Sequence, residues 1–122
     1  MPGFRSLEVW IRSRAVTNTI YSVTQSFPPQ ERYGLQIQMR RAAVSIMSNI
    51  AEGCGRNRRG ELIRFLYIAS GSAAELDCQL IVAEDQGFLS PAESAALHKE
   101  VTEIQKMLAG LRRHWYRQIP ND

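Results

Sequence analysis

Thirteen of the fifteen basic residues in this 122-residue chain are arginines, and they bunch. Arg56, Arg58 and Arg59 crowd one short stretch with Arg64 just beyond, and Arg112, Arg113 and Arg117 mark a second cluster near the end of the chain. A planar guanidinium makes paired contacts with phosphate or carboxylate, so these clusters suit an acidic partner, whether nucleic acid or a neighbouring subunit. Trp115 and Tyr116 lie beside the second cluster and offer faces on which bases stack. A plainer role is also open: arginines near a helix C-terminus complement its dipole and keep that end solvated. The charge is uneven along the chain. Residues 1–60 hold nine Arg against three Glu, about +6, and residues 61–122 hold six Lys or Arg against nine acids, about −3.

A second pattern lies in the segment QMRRAAVSIMSNIAEG. Arg41, Ser45 and Asn49 recur every four residues along one helical face, and Ser48 and Glu52 do so on the adjoining one. Such a ladder can hydrogen-bond along its own helix and across to Arg64, Ser72 or Glu75. It reads either as a satisfied polar layer that fixes helix register or as a contact surface for a ligand or nucleic acid.

Catalytic chemistry fits poorly. Ser45 and Ser48 have no histidine beside them in sequence, and His98 and His114 fall on another segment, outside its apolar stripe. The Glu-x-x-His pairs of a di-iron bundle are absent, as are phosphate-loop and dinucleotide fingerprints. Cys54 and Cys78 lack a metal-ligand spacing and read as small buried or half-buried fillers. No catalytic residue, metal or cofactor is expected.

Four helices must position these groups. In the fourth, Ser90-Pro91-Ala92-Glu93 supplies a capping Ser, a Pro at the first helical position and a Glu three residues after the cap. Leu97, Val101, Ile104, Leu108, Leu111 and Trp115 then follow as a heptad seam. The third runs from about Arg58 to Gln86, with Asn57 as cap, Gly87 as stop, and Leu62, Phe65, Leu66, Ala69, Ala73, Leu76, Leu80 and Ala83 on its apolar stripe. The second starts near Pro29-Gln30-Glu31, carries Leu35, Met39, Ala42, Ala43, Ile46, Ile50 and Gly53 on its stripe, and ends around Gly53-Cys54-Gly55, where paired glycines can leave the helical basin. The first spans about Phe4 to Gln25, with a weakly apolar middle, until Phe27-Pro28-Pro29 breaks it. Short connections make neighbouring helices antiparallel, so residues 1–122 are expected to form a single all-α domain, an antiparallel up-and-down four-helix bundle. In that topology the turn after the second helix and the end of the fourth lie together, which would merge the arginine clusters. No apolar run suits a membrane span or a signal peptide, so a cytoplasmic protein is expected. Phe4, Trp10 and Tyr67 are large groups outside the four stripes, and some of them are expected to be buried between copies of a homo-oligomer.

The run Gln38 to Ile46, then Ser48-Asn49-Ile50-Ala51-Glu52-Gly53, Phe65 to Ser72 and Glu75-Leu76, together with Phe27-Pro28, Glu31 and Tyr33-Gly34-Leu35, resembles the bacterial family of four-helix bundle proteins encoded in 23S ribosomal RNA intervening sequences. The resemblance covers nearly the whole chain, with Met47 standing where that family usually has Pro. It implies a ring-like homopentamer. It also brings in a relative, the accessory variability determinant of diversity-generating retroelements, a basic pentamer that binds nucleic acid and a reverse transcriptase; RNA or DNA and a reverse transcriptase thereby become candidate partners.

Overall fold

Side-chain spacing along the chain resolves into four helices in a computed structural model that describes residues 3–118. They are α1 (Glu8–Thr24), α2 (Leu35–Gly55), α3 (Arg59–Asp85) and α4 (Pro91–Arg117), and there is no strand among the described residues. Each helix packs against its neighbours in the order α1, α2, α3, α4 and back to α1, with the diagonals apart. This is an antiparallel up-and-down four-helix bundle. The α2–α3 interface is the most extensive and α1–α4 the least. Met39, Ile46, Ile50, Leu66, Leu76, Leu80, Ile104 and Leu108 are almost wholly removed from water along its axis.

The weakly apolar middle of α1 enters the core all the same. Ser13, Thr17 and Thr24 are buried because each hydroxyl donates to the carbonyl four residues back, at 2.7, 2.8 and 2.7 Å, so no donor is stranded. The helix is shorter than its composition suggests: Phe4–Ser6 form a separate 3-10 turn, and Leu7 is extended before Glu8. Phe4 and Trp10 stack edge to face at 5.0 Å within the chain and are half-buried there.

α2 begins at Leu35 rather than near Pro29, because Pro29–Glu31 close a 3-10 turn of their own. Gly34 precedes the helix and has no side chain to cap it. The Glu31 carboxylate does so instead, accepting the Leu35 N–H at 3.1 Å, and a Cβ on Gly34 would stand 3.0 Å from that oxygen. Two side chains of α2 close the end of α1. Gln36 donates to the Thr24 carbonyl at 2.8 Å, while Arg40 donates to the Thr24 hydroxyl at 3.0 Å and the Tyr21 carbonyl at 3.2 Å. They satisfy carbonyls that a helix end leaves without partners.

The α2–α3 turn corrects two expectations. Gly53 and Gly55 stay helical, and it is Asn57 that takes the left-handed conformation (φ 58°), which a short polar side chain tolerates. Asn57 is therefore the hinge of the turn, and the extended residue before α3 is Arg58, with no side-chain cap. Gly53 is needed for space, since a Cβ there would lie 2.9 Å from Phe65 Cβ and 3.1 Å from Leu62 Cδ1.

The α3–α4 turn follows expectation. Gly87 (φ 76°) lets its N–H reach the Glu84 carbonyl and the Phe88 N–H reach that of Ala83, each at 2.9 Å, the paired bonds of a Schellman ending. Ser90 and Glu93 then form the full capping box at the start of α4.

Gly53→Ala should lower the thermal midpoint even though alanine favours a helix, because overpacking costs about 1–3 kcal/mol against a propensity gain of about 1 kcal/mol. Gly55→Ala, where a Cβ meets nothing within 4 Å, should hold or raise it. Thermal denaturation of both variants checks the contrast. A second check is Arg40→Met, which keeps the apolar stem and removes the bonds to α1; stability should fall by about 1–3 kcal/mol.

Candidate nucleic-acid interface

The turn after α2 and the end of α4 meet, as Arg59 shows by donating to the Gln118 carbonyl at 2.5 Å. Arg56, Arg58, Arg59, Arg64, Arg113 and Arg117 are exposed or partly exposed at this end, and Arg112 is half-buried. Two acids answer them. Glu52 pairs with Arg56 at 3.0 Å and Glu61 with Arg64 at 2.7 Å. The hydrogen bond from Arg64 is the main reason that the Glu61 carboxyl titrates below its usual range, and the same bond raises Arg64. Arg58, Arg59, Arg112 and Arg113 have no acid partner among the described residues. Arg5, on the turn before α1, reaches the same end because that turn packs against α2. Grouping by sequence proximity misses it, because the contact that brings it there is tertiary.

The two arginine clusters are not equivalent. Arg112 stacks over the Tyr67 ring at 4.3 Å and hydrogen-bonds Ser70, so its guanidinium is held in place. Arg113 is exposed one residue on. Tyr67 and Tyr116, 61% and 73% exposed, line a groove of about 360 Å³ with Ile63, Ala109, Arg112 and Arg113. Trp115, expected beside Tyr116 as a stacking face, is half-buried and packs on the core with its ring against His114. Tyr67 is the aromatic left open instead.

The polar ladder comes together only in part. Ser45 and Ser72 hydrogen-bond across α2 and α3 at 2.7 Å, and Asn49 donates to the Ser45 hydroxyl at 3.0 Å and its carbonyl at 2.8 Å. Arg41 and Ser48 sit at the surface, Glu52 is turned to Arg56, and Glu75 accepts from Gln79 at 3.2 Å, away from the serines. Gln79 Oε1 is buried and has no hydrogen-bond partner among the described residues. His98 is exposed and meets Asp77 at 2.5 Å, linking α4 to α3. Among the described residues no three His, Cys, Asp or Glu side chains gather as metal ligands, and no helix is long and apolar enough to cross a membrane.

The outer face of α3 carries a second apolar stripe. Gly71, Ala74, Cys78 and Ile81 recur at spacings of three, four and three, flanked by Ile68 and Val82, all exposed. The reading of both cysteines as fillers holds for Cys54, whose half-burial pushes its thiol up, and fails for Cys78, which lies in this stripe. Once one stripe of α3 accounts for the core, residues on its other side draw no notice in the sequence.

The model of the 23S rRNA-intervening sequence protein family matches residues 5–110. A crystal structure of a protein of unknown function from the S23 ribosomal protein family of Bacteroides thetaiotaomicron superposes with a TM-score of 0.79, covering 85% of this chain and 97% of that one at 23% identity, which shows a shared fold. No curated protein matches the sequence significantly. Since the match runs through all four helices, the chain belongs to the 23S rRNA-intervening sequence protein family.

Proposed function

We propose that this protein is a non-enzymatic, self-associating module of the cytoplasm that holds nucleic acid, RNA foremost, through the arginine-rich end of its bundle. The observation that carries the proposal is the set of solvent-facing arginines at that end that have no acid partner among the described residues, Arg5, Arg58, Arg59, Arg113 and Arg117, beside the two exposed tyrosines. Unneutralised guanidinium groups around a rigid turn meet phosphates at little cost in order, and in an assembly the repeated ends add avidity. The competing scaffold reading pairs these arginines with acids of a second copy. It draws support from the opposite end of the bundle, where Glu84, Asp85 and Glu93 are exposed.

Self-association is supported by the outer stripe of α3. Gly71 sits mid-helix with nothing near its missing Cβ, and a glycine there weakens an isolated helix by about 1 kcal/mol relative to alanine. No contact among the described residues needs that glycine. Close approach by another copy would, and the excess of basic charge in the first half and acidic charge in the second gives copies complementary surfaces.

Replacing Arg58 and Arg59 with Ala should weaken RNA and DNA binding and flatten its salt dependence, by about 0.7 in log–log slope for each single-strand phosphate that is no longer neutralised, with the assembly intact. Binding across a salt series, followed by light scattering, is the check; no binding by the wild type at low salt, or dissociation of the oligomer in the double variant, would establish the scaffold reading instead. Gly71→Leu should raise helical stability yet lower the mass seen by light scattering, whereas an unchanged mass at micromolar concentration would remove the α3 stripe as the interface.

A further inference from the structure

Phosphate contact alone does not distinguish single strands from duplexes. The groove between α3 and α4 carries something that duplex DNA or RNA cannot use, namely two largely exposed aromatic rings, Tyr116 and Tyr67, the latter with one face covered by the Arg112 guanidinium. In a duplex the flat faces of the bases are already stacked on each other, so only an unpaired base can lie on a tyrosine. Resting on the nucleic-acid reading above, we propose that this groove is a stacking site for one unpaired base and selects single strands.

Each wall has a part in this. Ala109 keeps the floor low between the tyrosines, and the groove, at about 360 Å³, is of ligand-pocket size. Arg112 lies on Tyr67 and is tied to Ser70, so it extends the stacking platform with its plane already fixed. Its guanidinium is thereby occupied, and the phosphate next to the stacked base falls to Arg113, exposed at the rim. By contrast, the apolar groove between α1 and α4, lined by Ala15, Val16, Val23 and Leu97, is rimmed by Glu93 and Glu100, which repel a phosphate.

The test compares oligo(dT), an abasic strand of the same length and charge, and a duplex of that length. The wild type should bind oligo(dT) about tenfold or more tightly than the abasic strand, the value of one stacked base. Tyr116→Ala and the groove-filling Ala109→Leu should each bring that ratio close to one. Tyr116 is largely exposed, so its variant should keep the wild-type thermal midpoint and remains informative if Ala109→Leu folds poorly. The Arg58 and Arg59 double variant should bind both strands more weakly while keeping the ratio. If the wild type binds oligo(dT) and the abasic strand equally, or Tyr116→Ala leaves the ratio intact, the stacking site is refuted although nucleic-acid binding stands. If the wild type binds none of the three probes, the broader reading falls with it.

Discussion

The close packing of α2 on α3 sets the positions of everything at the basic end. Ala42, Ala43, Ala69 and Ala73 are buried with almost no side-chain bulk, which lets helices approach nearer than leucine-lined surfaces allow. Two contacts then hold the register. Gly53 rests against Leu62 and Phe65 close to the turn, and Ser45 bonds Ser72 two helical turns away. With the register held at two points, the turn has little freedom to shift. Arg56, Arg58 and Arg59 are thus presented from a rigid base, although none of them packs in the core.

Much of this architecture was legible from residue types. The capping box of α4 and the glycine stop of α3 are local signals satisfied by neighbours in sequence, the heptad seam of α4 shows in its spacing alone, and all three stand where the sequence put them. One of the failures lies in contacts that are not local, and another in the helix's own geometry. Arg40 and Arg41 are adjacent and alike, yet Arg40 turns inward because free carbonyls await it at the end of α1, and no pattern within α2 reveals that. In the polar ladder, four-residue spacing drifts about 40° around the helix at each step. Ser45 and Asn49 remain at the α3 boundary while Arg41 has rotated into solvent.

The arginines divide by role in a way that composition conceals. Arg40 is a structural cap, Arg56 and Arg64 are balanced by carboxylates on their own helices, and Arg112 is fixed against an aromatic ring. Among the described residues the exposed arginines outside any ion pair are Arg5, Arg14, Arg32, Arg41, Arg58, Arg59, Arg113 and Arg117, and of these Arg5, Arg58, Arg59, Arg113 and Arg117 share one end of the bundle. A count of arginines therefore overstates the free positive charge, and the arrangement of acids beside the basic groups matters as much as their number.

The capping box at the start of α4 and the Schellman turn before it gather Glu84, Asp85 and Glu93 at the end opposite the two arginine clusters, roughly one 40 Å helix length away, where Arg32 and Arg40 offset only part of that charge. Antiparallel helices cancel most of their backbone dipoles, so the separation of side-chain charge dominates the field along the rod. Near a polyanion such a molecule experiences a torque before it makes contact. That torque turns the arginine end forward, and it is strongest at low ionic strength, where the field extends furthest.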